Sequence, residues 1–191
     1  STIEGCGTMI ELELDGDATG LSGIIISDAG GVEIPFTYFE GGGDGLPHPG
    51  RHLLHGGFGN RTEFSAWEAL AAARPDLDML IYQQPNKNFY HLDTALAPLN
   101  EDTALFVREA FDDDGLGLIH AAFPNAIPLC LEEAMNFAGN ACCHDGKHVI
   151  LQAGSPQTEA NLQEHGFTPV PVETREFLKS GGSVRCLVQG F

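Results

Sequence analysis

The sequence predicts an α/β protein assembled from repeated strand–helix–strand–strand modules, and two observations carry that expectation. The same order of elements begins three times, near residues 51, 103 and 147, and a period of roughly 50 residues suggests modules repeated around an axis. The 191 residues, 42% of them apolar, suffice for one folded domain with a real core. A single domain over residues 1–191 is therefore expected.

Residues 8–14 and 21–27 read as strands joined by a Gly/Asp turn, and 32–39 as a third strand rich in β-branched and aromatic residues. That strand runs into Glu40-Gly41-Gly42-Gly43-Asp44, a loop whose backbone can approach a neighbour closely. The first module then opens with a short strand at 51–55. The capping box Ser65-Ala66-Trp67-Glu68 starts an Ala-rich helix that Pro75 stops. Strands follow at 77–82 and 89–96. The second module has a strand at 103–107, a short helix over 115–122 that Gly115 and Gly117 weaken, and strands at 126–131 and 137–143. In the third, 147–152 is a strand, and Ser155-Pro156 supplies an N-cap with proline at the first helical position. Gly166 closes the helix, and 167–172 and 184–188 are strands. Cys186 then lies on a terminal strand entered through the flexible Gly181-Gly182 turn.

The net charge is −18, from 27 acidic and 9 basic residues. Such a chain repels phosphate backbones and anionic membranes, which argues against nucleic acid or a membrane as partner. It would attract a cationic substrate, although solubility in a salty environment is the simpler reading of the charge. No run of 18 apolar residues suggests a membrane span, and no basic segment followed by an apolar stretch opens the chain. The five cysteines (6, 130, 142, 143 and 186) are odd in number and include an adjacent pair. That pattern is no disulfide framework and points to a reducing, cytoplasmic location.

The last strands of the three modules carry His91, Asn140 and Cys186 at similar places. Related by rotation, the three positions converge on the axis, so a distant His and Cys become a pair. Taken alone, Cys186 reads more readily as a packed small apolar group than as a nucleophile, and His91 more readily as a hydrogen-bonded core histidine. No metal is expected. His48, His52 and His55 are close in sequence, but prolines at 47 and 49 break any helix that would align them, and Cys142-Cys143-His144 is too crowded for a zinc site. Gly41-Gly42-Gly43 lacks the Lys-Ser/Thr and helix of a phosphate-binding loop.

Four segments together resemble a known family: Tyr38-Phe39-Glu40-Gly41-Gly42-Gly43-Asp44; Gly59-Asn60-Arg61-Thr62; Phe89-Tyr90-His91-Leu92-Asp93-Thr94; and the glycine-led segment from Gly181 to Leu187. They are similar, in order, to the guanidino-group-modifying penteins, which include dimethylarginine dimethylaminohydrolases, arginine deiminases and amidinotransferases. The resemblance covers about residues 32–191 and implies a five-module α/β propeller. It implies Cys186 as nucleophile, His91 as general acid/base, and Glu40 as the carboxylate that orients the histidine and holds the guanidinium. Asp93 would also bind guanidinium, Arg61 would hold a substrate α-carboxylate, and Asp44 would close the glycine loop in a structural role. Family chains are longer, and their first module carries a further acidic segment of the Leu-Pro-Asp type. The nearest stretch here, 20–28, lacks that Pro-Asp, although Asp28 could stand in. The expectation is thus an N-terminally shortened chain, its ring completed by a preceding segment or by a second subunit in a homo-oligomer.

The chemistry suits these residue types. A guanidinium carbon is a poor electrophile, and a thiolate is the fitting nucleophile at neutral pH. Carboxylates fix the planar cation by paired hydrogen bonds, and a histidine protonates the departing amine and then activates water. The expected function is cysteine-dependent hydrolysis of arginine or an N-methylated arginine to citrulline and an amine through a covalent thiouronium, with no cofactor. Arginine deiminase or amidinotransferase activity is the alternative within the class. A non-catalytic pentein that only binds is the alternative outside it.

Overall fold

A computed structural model describes residues 26–27, 33–34 and 44–188. Backbone contacts divide the chain into two units, Ser1–Glu40 and Gly41–Phe191. In the first, β1 (Ile26–Ser27) pairs antiparallel with β2 (Glu33–Ile34). These pieces lie at the end of the expected strand 21–27 and inside the expected strand 32–39. The expected strand at 8–14, Asp28, and Glu40 with its three glycines lie outside the described residues.

The second unit contains three successive small sheets. β3 (Gly45–Pro47), β4 (Leu53–Phe58) and β5 (Asp78–Gln83) form one, with β3 antiparallel and β5 parallel to the central β4. β6 (Leu96–Pro98), β7 (Ala104–Phe106) and β8 (Ile127–Pro128) repeat that order and polarity. In the third, an antiparallel bridge from Cys142 to Ile150 takes the place of the first strand. β9 (His148–Gln152) is central there, and β10 (Thr168–Val172) runs parallel to it. Each parallel pair is joined by a helix, as a parallel connection requires: α1 (Phe64–Ala73), α2 (Asp113–Ala122) and, after the short α3 (Leu131–Met135), α4 (Pro156–Glu164). The helix α5 (Arg175–Leu178) follows β10.

The repeat therefore exists, with its frame displaced by one strand. The strand expected to end a module instead opens the next one, because its backbone pairs with that module's central strand. Thus 89–96 is not one strand: Leu92–Thr94 is a 3₁₀ turn, and β6 begins at Leu96. Residues 137–143 make only the Cys142 bridge. The expected strand 184–188 is also a 3₁₀ turn, Arg185–Leu187. The expected strand 126–131 stops after Pro128, and Leu131 opens α3.

The capping of two helices differs from expectation, although Ser155 and Pro156 do stand at the cap and first position of α4. α1 begins at Phe64, its cap position is Glu63 with no side-chain cap, and Ser65 is already helical. Ser155 occupies the cap position of α4, but its hydroxyl donates to the Gln152 carbonyl. The end of α4 is held instead by Glu133 of α3, whose carboxylate accepts from Gln157 N, Thr158 N and the Thr158 hydroxyl at 2.8, 2.8 and 2.6 Å. α2 has its own cap, Asp112 accepting from Gly115 N at 2.8 Å, so a glycine near the helix start does not prevent it.

The core runs through the sheets and the faces of the helices that cover them. Leu92, Leu96, Leu105, Phe106, Ile119, Phe123, Ile127, Leu151 and Leu162 are all buried within one contiguous cluster. At roughly 1.5–3 kcal/mol for each fully buried aliphatic or aromatic side chain, this cluster is the main stabilising term. Beside it a buried polar chain runs from Tyr82 through His55 and His48 to the Glu101 carbonyl, with steps of 2.7, 2.9 and 2.9 Å. His52, the third of the clustered histidines, is exposed beside Asp76. Among the described residues no helix is long and apolar enough to cross a membrane.

Candidate active site

The loops that leave β5, α3 and α5 meet at one place, and they carry His91 with Asp93, Asn140, and Cys186 respectively. Their equivalent positions in the three modules produce the meeting expected from the repeat. Two backbone features let the loops close. Gly181 has φ +74°, and a Cβ there would lie 2.7 Å from the Tyr90 hydroxyl. That hydroxyl donates to the Gly181 carbonyl, which ties the turn before Cys186 to the residue before His91. At Gly139 a Cβ would lie 2.7 Å from the Thr94 carbonyl oxygen, so glycine allows the Asn140 loop to approach the 93–94 backbone.

His91 is oriented by Asp44, whose Oδ2 lies 2.9 Å from Nδ1. Asp44 is buried and fully engaged. Its Oδ1 accepts from Leu92 N at 2.8 Å, and Oδ2 also accepts from the Thr62 hydroxyl at 2.6 Å. A carboxylate at Nδ1 fixes the tautomer with the proton there, leaving Nε2 as the basic nitrogen. Asp44, expected to be structural, therefore makes the contact to His91 that the resemblance assigns to Glu40. Glu40 itself lies outside the described residues.

Cys186 Sγ lies 3.2 Å from Asp93 Oδ2 and 3.2 Å from Asn140 Nδ2. The residue as a whole is exposed, but these two side chains cover its sulfur from within. Burial, with the Asp93 charge next in weight, pushes the thiol up to about 11. Burial likewise pushes the Asp93 carboxyl above the usual carboxylate range, against the opposing pull of its hydrogen bond with Cys186 and the nearby His91. Asp93 is 3% exposed, and among the described residues its Oδ1 is buried without a hydrogen-bond partner. Arg61, exposed, stacks its guanidinium 5.1 Å from the Tyr90 ring centroid, on the residue next to His91. The structure thus joins Asp44 to His91 and Asp93 to Cys186, and sets Arg61 against Tyr90.

Sequence reasoning placed Asn140 near the axis but gave it no role. Its signal was positional, one module away from His91 and from Cys186. Among the described residues no group of three or more His, Cys, Asp or Glu side chains could hold a metal ion.

No family model matches the chain. It is 38% identical over 147 residues to an N(G),N(G)-dimethylarginine dimethylaminohydrolase of Mycobacterium tuberculosis, covering 77% of this chain and 47% of that protein. It is 33% identical over 151 residues to a bifunctional arginine dihydrolase/ornithine cyclodeaminase of Nostoc sp., covering 78% of this chain and 21% of that protein. Among solved structures it superposes on the N-terminal domain of ArgZ, an arginine dihydrolase from the ornithine-ammonia cycle in cyanobacteria, bound to product. The TM-score is 0.71 at 32% identity, covering 78% of this chain and 55% of that one. The chain thus spans about half the length of the mycobacterial relative, and less of the bifunctional one.

Proposed function

The chain belongs to the guanidino-group-modifying pentein superfamily, with its mixed α/β fold, and from that premise we propose that it is a cysteine-dependent hydrolase of a guanidino substrate. The substrate is arginine or an N-methylated arginine, and the products are citrulline and ammonia or an alkylamine. One observation carries the reading: a buried Asp93, whose Oδ1 has no hydrogen-bond partner among the described residues, lies against the Cys186 sulfur. Such a carboxylate fits a cationic donor that brings both hydrogen bonds and charge.

In this reading the guanidinium docks on Asp93 and lowers the cost of forming the Cys186 thiolate beside it. The thiol proton passes to His91, which Asp44 holds in place. Sγ bonds to the guanidinium carbon, giving a tetrahedral species, and the C–N bond then breaks as His91 returns the proton to the departing amine. The remaining thiouronium is attacked by water that His91 deprotonates. The C–S bond breaks, and the thiol is restored with release of the ureido product. Arg61 receives the substrate α-carboxylate at the mouth of the site. Arginine deiminase is the second reading, favoured by the carboxylate two residues after His91, as in that group.

The test is citrulline and amine formed from arginine and from N-methylated arginines, with Cys186→Ser as the negative control. Release of dimethylamine supports the dimethylargininase reading, and ammonia from arginine the deiminase one. A folded chain that binds these guanidines without turning them over would instead support a binding protein.

A further inference from the structure

Asn140 is completely buried, and every polar valence of its side chain is in use. Nδ2 donates to the Asp93 carbonyl at 3.0 Å and to Cys186 Sγ at 3.2 Å. Oδ1 accepts from Arg185 N at 3.0 Å and from Cys186 N at 3.4 Å, and the Asn140 main-chain carbonyl takes Arg185 N at 3.1 Å. The orientation of the amide is fixed by these partners. A carbonyl on one side requires the NH₂ group, and two backbone N–H groups on the other require the oxygen. An apolar residue of similar size would leave the Asp93 carbonyl and the Arg185 N–H unpaired in the interior.

We propose that Asn140 is a positioning residue that clamps the Cys186 turn to the Asp93 loop and donates a hydrogen bond to the Cys186 thiolate, so setting its reactivity. The inference rests on the guanidino-hydrolase reading for its purpose, although the contact acts on the thiol without substrate. Asp93 beside the sulfur opposes ionisation. The Asn140 N–H, together with a backbone hydrogen bond from Ser183, works in the opposite direction. A neutral donor can do this without closing the Asp93 Oδ1 face to a cation. A lysine at the same place would ionise the thiol more strongly, but it would compete with the substrate for Asp93. The equivalent module positions thus hold three complementary groups: a base, an amide clamp and a nucleophile.

The experiment measures iodoacetamide alkylation of Cys186 in the 191-residue chain against pH, without substrate, by mass spectrometry. Cys130 and Cys143 serve as reference thiols, and the buried Cys142 reports unfolding. Asn140→Ala should slow Cys186 alkylation at pH 8 by about tenfold, the loss of one hydrogen bond to a charged group. Asn140→Asp, which keeps the acceptor but places a carboxylate at the sulfur, should slow it further. In the unsubstituted chain the Asn140 side-chain NH₂ resonances should move as the thiol titrates between pH 8 and 11, and this movement should vanish in Cys186→Ser. A native alkylation rate in either folded variant overturns the proposal. If both variants unfold, an NH₂ signal that ignores the thiol titration overturns it alone. Slowed alkylation with no citrulline from the native chain would uphold the Asn140 contact and reject the hydrolase reading, so the two failures are distinguishable.

Discussion

At Asp93 and Cys186 two acidic groups share one hydrogen bond: the thiol donates to the carboxylate and favours its ionised form, while the carboxylate charge and burial disfavour the thiolate. The thiol, pushed up to about 11, is protonated at neutral pH in the free chain; in the proposed mechanism the docked guanidinium lowers it. Alkylation of Cys186 in the free chain should therefore rise about tenfold per pH unit between pH 7 and 10, because the thiolate is the reacting species. Asp93→Asn removes the repelling charge and should speed that alkylation at pH 8. The same change should reduce citrulline formation by roughly 10- to 150-fold, the value of one lost charge-assisted contact. Equal losses in both assays would mean that Asp93 only supports the loop. Asp44→Asn tests the histidine separately. It should lower turnover by about 10²–10⁴ through loss of oriented acid/base catalysis, with Cys186 alkylation little changed. Unchanged turnover there, with a large loss in Glu40→Gln, would return the orienting role to Glu40. The candidate site residues and their order were legible in the sequence, since His91, Asp93 and the glycine-led Cys186 segment form short local patterns. Which of two carboxylates flanking Gly41-Gly42-Gly43 reaches the imidazole was not, because three glycines do not fix the direction of the chain. The bonds of Asn140 depend on two loops distant in sequence, and spacing cannot show them.

Among the elements, the start of α4 is fixed from outside. Its first N–H groups end on the Glu133 carboxylate, which also meets the positive end of the helix dipole. Glu133→Ala leaves the buried Thr158 N–H and hydroxyl, and the part-buried Gln157 N–H, unpaired and should cost about 2–4 kcal/mol, read as a lower urea midpoint. Ser155→Ala, at the nominal cap, should cost less than about 1 kcal/mol, since its hydroxyl makes only the 3.3 Å contact with the Gln152 carbonyl. The connecting helices α1, α2 and α4 and the central and parallel strands were legible because their apolar spacing and stop signals are local; the short α3 and α5 were not, since four or five residues carry too little pattern. The fourth element of each module was not. Val184, Leu187 and Val188 have strand propensity, yet among the described residues no strand pairs with them, and the turn is held by Asn140 and by its own carbonyls. Strand propensity describes a fit to a sheet, and here the sheet partner is missing among the described residues.

For the second unit as a whole, the buried chain Tyr82–His55–His48–Glu101 links the first module to the segment between β6 and β7. Its hydrogen bonds run in one direction: the Tyr82 hydroxyl donates to His55 Nδ1, His55 Nε2–H to His48 Nδ1, and His48 Nε2–H to the Glu101 carbonyl. Both rings are then neutral, and protonating His55 would set one N–H against another donor. Burial, followed by the proximity of His48 and Arg51, lowers His55 from 6.5 to about 3, and burial also lowers His48. Between those two values the unfolded chain binds a proton that the folded one refuses, so stability falls as pH falls from 6.5 towards 3. The stability lost through His55 over that range is on the order of 5 kcal/mol. Urea midpoints measured across that range should show the decline, and His55→Gln should flatten it; an unchanged slope in that variant would place the acid sensitivity elsewhere. The displaced frame of the repeat has a different consequence, one for gene shuffling. Crossovers that leave each sheet intact must fall between β5 and β6 or between β8 and Cys142, and those intervals contain His91 with Asp93, and Asn140. Chimeras cut where the sheets permit would therefore reassort these residues relative to Cys186, so recombination among relatives that preserves folding would scan site combinations directly.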